Sequence, residues 1–189
     1  MIAGGIAAVA LLGLGPASAQ AELLDANCPG PTNAGASFSA QAQTFTAVHT
    51  GTLVRGEMFV AKTAGPDFQM YILAATASGP FGPALGAVTI PDSAVANVTP
   101  SPAGPSAPID GTFSPAVPVT AGQQYAIVVT RDGGSFLPKD RSGDPCPGGE
   151  FNGTVGGSWT GHDPNYDYPF STSSIPRTTS RSSRRWAGL

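Results

Sequence analysis

Any chemistry in this chain must come mainly from one stretch toward its C-terminal end. From Asp132 to Asp167 run six acids (Asp132, Asp140, Asp144, Glu150, Asp163, Asp167), with the aromatics Phe136, Phe151, Trp159 and Tyr166 among them and Tyr168 just after. Asp163, Asn165 and Asp167 alternate as oxygen donors in a calcium loop do, since calcium takes six to eight carboxylate, carbonyl or water oxygens. They lack the glycine and terminal glutamate of an EF-hand, and Asp and Asn are also ordinary turn residues, so solvated loops are the competing reading. Calcium is thus the one cofactor the pattern admits. Trp159, Tyr166 and Tyr168 could offer flat faces to a sugar ring while nearby polar groups set its orientation. Against that stands the ordinary use of such rings, which is to fill a core or cover a sheet edge.

Catalytic constellations are missing. Nucleophilic catalysis needs a Ser or Cys, a base and a group that holds the base. His49 and His162 are the only histidines, Asp163 adjoins His162, and no G-x-S-x-G elbow is present. Zinc would need three or four ligands at suitable spacing, and there is no H-E-x-x-H. Glycoside hydrolysis needs two carboxyls flanking a cleft, yet Glu57 and Glu150 are the only glutamates between residues 37 and 172, and neither sits in an aromatic-rich strand beside a second carboxylate. These patterns point to a protein that is not an enzyme. Nine Lys and Arg against twelve Asp and Glu, a net charge of -3, also argue against a nucleic-acid partner, which calls for a concentrated basic surface.

The elements that would position these residues read as strands. The chain has 189 residues, enough for one domain, and 25 glycines and 19 prolines punctuate it at intervals that no long helix survives. Short alternating or apolar runs occupy Gln41–Val48, Thr52–Ala61, Phe68–Ala75, Ala84–Ile90, Phe113–Val119 and Gln123–Thr130. Shorter candidates follow at Glu150–Thr154, Val155–Trp159 and Asp167–Thr172. Turn residues recur about every ten positions, which is the pattern of an all-β sandwich or barrel. The expected fold is an antiparallel two-sheet β-sandwich with Phe45, Phe59, Met70, Ile72, Tyr125, Ile127 and Val129 in its core. Gln43, Thr44, Gln69, Gln124 and Thr130 fall on the opposite faces and are expected to meet water. The prolines of Phe113–Val119 push that run toward a sheet edge, and Asp92–Val95 can form a single helical turn.

Composition changes at both ends. Ile2–Leu14 is apolar and is followed by Ala17-Ser18-Ala19, an A-x-A signal-peptidase site, so residues 1–19 read as a signal peptide and the mature chain as exported. The run is too short for a membrane span, which needs about 20 apolar residues. Residues 20–36 form an N-terminal extension, 37–172 the sandwich, and 173–189 a disordered basic tail carrying Arg177, Arg181, Arg184 and Arg185. Cys28 and Cys146 are the only cysteines; in an exported chain they are expected to pair, pinning the N-terminal extension onto the long C-terminal loop.

The segments AQTFTA near Gln43, TGTL at Thr50–Leu53, FGPALGAVTIPDSAV at Phe81–Val95, PVTAGQQYAIVVT at Pro118–Thr130 and the later PGGEF, WT and DYPF runs resemble a β-sandwich of secreted and surface bacterial proteins. Such modules are jelly-roll-like and carbohydrate-binding-like. The resemblance implies architecture more than ligand and brings no catalytic residues. It makes a polysaccharide or cell-envelope component the expected partner, with Trp159, Tyr166 and Tyr168 as the candidate contacts. A structural surface or matrix protein with no small ligand is the alternative, and an extracellular hydrolase a remote one.

Overall fold

A computed structural model describes residues 21–28, 33–34, 40–99, 101, 104–133, 136–142, 146, 149, 151–155, 158–163 and 166–177. The expected signal peptide and the residues after 177 lie outside them. All the paired strands run antiparallel, in two sheets. The first joins β1 (Leu23–Cys28), β13 (Phe170–Pro176), β4 (Gly51–Lys62), β9 (Phe136–Ser142) and β12 (Tyr166–Asp167) in that order, with β7 (Ala107–Val119) also on β4 and β2 (Asn33–Ala34) on β9. The second runs β11 (Ser158–Asp163), β10 (Phe151–Val155), β3 (Ala40–Thr46), β8 (Gln124–Arg131), β5 (Phe68–Thr76) and β6 (Gly79–Ile90). The all-β two-sheet architecture is the expected one. Asp92–Ala94 forms the expected single turn, as a 3-10 helix, and β7 lies at a sheet edge, paired with β4 alone.

The two sheets bury one another's alternate side chains. Phe45, Met70, Ile72, Tyr125, Ile127 and Val129 lie in the shared core as expected. Phe59 does not. Inward positions on β4 are Gly51 and Leu53, then Gly56, Met58 and Val60, so the inward parity changes from odd to even along the strand. The register shifts between Leu53 and Arg55 against both neighbours, and against β13 strand β4 carries one extra residue there, which sends every later side chain to the other face. Phe59 is therefore only half-buried. Gly56 and Gly111 are register partners beneath Met70, and a Cβ on Gly56 would lie 2.8 Å from Ile127 Cδ1. The missing side chains let the sheets close over the methionine.

A smaller apolar cluster covers the outer face of the second sheet, where Ala42, Ala75, Ala126 and Val128 are buried and Tyr71, Leu73 and Trp159 pack against them. Asn152 of β10 lies against Gly79, where β6 begins.

The first sheet takes in more chain than the expected 37–172. β13 continues to Pro176, and β1 pairs along it from Leu23↔Ser174 to Cys28↔Phe170. Neither run is strongly apolar, because β1 is an edge strand and β13 alternates Phe170, Thr172 and Ser174 inward with half-buried neighbours.

A cleft beside the disulfide as candidate functional site

Cys28 and Cys146 form the expected disulfide, with Cα atoms 5.6 Å apart across 118 residues of chain. It ties edge strand β1 to the loop before β10. Next to it the protein encloses a cleft of about 310 Å³, near the lower end of the roughly 300–1,000 Å³ usual for small-molecule sites. Three parts of the chain build it: Asp25, Ala26 and Asn27 of β1; Thr44, Phe45, Thr46 and Val48 in and after β3; and Cys146, Gly149 and Phe170 around the disulfide. The rings of Phe45 and Phe170, both almost wholly buried, meet at 5.6 Å in a tilted contact, and with Ala26 and the exposed Val48 they form the apolar part of the lining. Gly149 fits only because it has no side chain, since a Cβ there would run into the Thr44 carbonyl oxygen.

Asp25 is the charged member of the lining among the described residues. It sits where the β1–β13 register slips between Leu24 and Ala26, and the slip turns its side chain out of the ladder toward the β3–β4 turn. Oδ1 accepts from Val48 N at 3.0 Å and His49 N at 2.8 Å, and contacts His49 Nδ1 at 3.2 Å. Oδ2 is buried and has no hydrogen-bond partner among the described residues. Buried polar atoms are nearly always paired, so such an oxygen calls for a reason.

Behind the disulfide, Gln43 is fully buried, against the expectation that it faces water. It lies on the inner face of β3, where Nε2 donates to Asp167 Oδ1 at 2.7 Å and to the Thr44 carbonyl, while Oε1 accepts from Tyr168 N at 2.7 Å. Thr44 is buried as well. Asp167 Oδ2 accepts from Cys146 N at 3.1 Å. One amide thus bridges β3 to the segment that carries Asp167 and Tyr168.

This network settles where several candidate residues lie. Both oxygens of Asp167 are hydrogen-bonded within the protein. Asn165 lies outside the described residues, as does the side chain of Asp163. Cys28, Cys146 and Asp167 come close enough to one another to suggest three metal ligands, but the two sulfurs are bonded together and offer no thiolate. Tyr168 is 1% exposed and belongs to the main core, so its ring presents no face to solvent. Trp159 is half-buried on the outer apolar cluster, on a different surface from the cleft. The side chains of Tyr166 and His162 lie outside the described residues.

No protein-family model matches this chain, and no curated protein matches it. Sequence reading passed over its residues because Asp25, Asn27 and Thr46 look like ordinary strand and turn positions. The one available signal was Cys28, whose bond draws its neighbours Asp25–Asn27 to the loop around Cys146. Among the described residues, no helix is long and apolar enough to cross a membrane.

Proposed function

We propose that this protein is an exported, non-catalytic binding domain that holds a saccharide unit of a polysaccharide or cell-envelope polymer in the cleft beside the disulfide. The observation that carries the reading is the lining: the exposed Asn27, Thr46 and Val48 stand around a space of small-ligand size whose lining also takes in the buried Phe45 and Phe170. A ring with hydroxyls on its edges and C–H bonds on its faces matches such a mixture. The disulfide supports export, since such bonds persist in oxidising compartments.

Calorimetric titration of the full chain against a panel of oligosaccharides tests it. Thr46 is exposed at the mouth of the cleft, so Thr46→Trp is expected to abolish binding without unfolding the protein, whereas Trp159→Ala leaves binding unchanged. The reverse pattern moves the site to the outer face of the second sheet. A second reading, a structural surface protein with no small ligand, is favoured by the burial of Tyr168, which removes one ring from the proposed aromatic platform. Absence of binding across the panel would support that reading.

A further inference from the structure

A strand at the rim of a sheet presents unpaired N–H and C=O groups, and folded chains commonly protect such a rim by brevity, bulges, prolines or charges. Among the described residues, most rim strands of this sandwich are protected in one of these ways. β1 is six residues long, and its register against β13 slips between Leu24 and Ala26. β7 carries Pro108, Pro115 and Pro118 and the ion-paired Asp110. β11 is six residues long, with a register slip in its pairing to β10, and β12 has only two residues. β6 differs: it is twelve residues long and pairs with β5 alone. Its first half is blunted by Pro80 and Pro83, and residues 82–85 stand opposite Leu73 alone. From residue 86 to residue 90 it is regular, with no proline, charge or bulge.

We propose that this half of β6 pairs with the β6 of a second copy of the chain, joining two six-stranded sheets antiparallel across a two-fold axis. The proposal is independent of the cleft. The inner face of the segment is already covered by β7: Val88 Cγ1 lies 2.7 Å from where a Cβ on Gly111 would stand, and a Cβ on Gly86 would run into Val117. What stays open is the rim and the outer face, where Ala87 and Thr89 are exposed and where Leu85 and Phe81 keep 45% and 53% of their surface in solvent. Charge decides the occupant. No charged residue occurs from Phe68 to Pro91 or from Gly111 to Thr130, so β6, its neighbour β5, the next strand β8 and the half of β7 beneath are neutral. A neutral rim repels no second copy and complements itself, and the centres of protein interfaces are depleted of charge in the same way. A foreign peptide would find no charged group by which to be selected, whereas an identical strand needs none. A two-fold axis sets the rim against its own counterpart, so the outward N–H and C=O groups of each copy satisfy those of the other.

Sedimentation velocity of the full chain, over a micromolar to millimolar concentration series, is expected to show a monomer–dimer equilibrium. Leu85→Lys combined with Ala87→Lys sets like charges against one another across the axis, at two positions exposed enough for the fold to hold. The dimer is expected to weaken at least about tenfold, and more at low salt than at high salt. Amide hydrogen exchange on the unaltered chain locates the interface without any substitution, and so decides the matter even if the variant does not fold. Amides within residues 86–90 are expected to exchange more slowly as concentration rises. A chain that stays monomeric across the series overturns the proposal. So does a dimer that the two lysines leave unchanged, or protection that grows with concentration in β1 or β7 instead. A monomer that co-sediments with neutral phosphatidylcholine vesicles, and ceases to when Phe81 and Leu85 are replaced by serine, also overturns it and assigns the rim to a lipid surface.

Discussion

Two polar clusters close this sandwich at opposite ends of its strands, and they treat buried charge in opposite ways. Near the end of β8, Arg131 is buried and spends its guanidinium on the carbonyls of Pro66 at 2.8 Å and Thr63 at 3.0 Å, on Asp92, and on the face of Phe68, 4.6 Å away. Lys62 is also buried and donates to the Asp92 carbonyl at 2.8 Å and to its carboxylate at 2.6 Å. Gly65 leaves room for the arginine, since a Cβ there would lie 2.6 Å from the guanidinium and push it aside. Every named donor is used, and the chain packs tightly around it. At the opposite end, Asp25 is buried with one carboxylate oxygen that has no partner among the described residues. Complete satisfaction marks a clamp that holds loops together, whereas a buried oxygen left without a donor is a local cost that the rest of the fold must offset.

The largest expected effect breaks the clamp and spares the cleft. Arg131→Ala removes one cation from the Asp92 cluster and strips the carbonyls of Thr63 and Pro66 of their donor. It should lower the urea midpoint more than any other single substitution considered, mainly through the two carbonyls left without a donor, since Asp92 keeps Lys62 as its counter-ion. Ligand binding per folded molecule should not change. Cys28→Ser with Cys146→Ser acts on the other side of the comparison. Opening a loop of 118 residues should cost roughly 2–4 kcal/mol, and because Cys146 forms part of the cleft wall the same variant should also lose ligand affinity. If it loses stability but binds normally, the disulfide is a fastening only and the wall stands without it.

Acid titration separates the two ends further. The Lys62 ammonium, hydrogen-bonded to Asp92, holds that carboxyl below the ordinary carboxylate range; burial pushes the other way, and the Gly65 backbone and the charges of Lys62 and Arg131 add to the lowering. A carboxyl with a lower pKa in the folded protein than in the unfolded chain is protonated first in the unfolded chain as pH falls. Its contribution is complete above about pH 4 and is lost as pH drops toward the folded value. Urea midpoints should therefore fall below about pH 4 in the unaltered protein. Asp92→Asn should start from a lower midpoint and show a shallower acid limb. An unchanged slope would mean that another carboxyl carries the acid sensitivity.

The clamp and the cleft also differ in how much of them the sequence announces. Sheet order aside, strands such as Phe68–Ala75 and Gln123–Thr130 are legible because each is a short run of aromatic and aliphatic residues bounded by turn residues, and β5 and β8 follow them within a residue or so. Phe59 misleads because a one-residue bulge leaves no mark in composition yet reverses the inward face. Gln43 misleads because a glutamine at an inward position looks solvent-facing until Asp167 and Tyr168, more than a hundred residues later, arrive to bond it. Strand β1 is illegible for the same reason: its pairing with β13 comes from the far end of the chain, and local propensity in LLDANC is weak. Cys28 and Cys146 could be paired on compartment and number alone, but the bond's consequence, a cleft with Asp25 on its wall, depends on the register slip that turns that residue aside.

The smallest expected effect comes from a third ion pair, which isolates burial as the variable. Arg55 donates through Nε to Asp110 Oδ1 at 2.7 Å and through a terminal nitrogen to Oδ2, a two-pronged contact between neighbouring strands β4 and β7 that raises the arginine pKa further. Like Arg131, it joins a guanidinium to an aspartate carboxylate. Its side chains, however, are 47% and 40% exposed, so water solvates both ions when the pair is broken. Arg55→Ala should cost about 0.2–1 kcal/mol, and added salt should reduce even that, since exposed charges are screened. Arg131→Ala should change little with salt, because its neighbours exclude the counterions. If the two substitutions prove equally costly, the stability of the Arg131 end comes from hydrogen-bond geometry rather than burial.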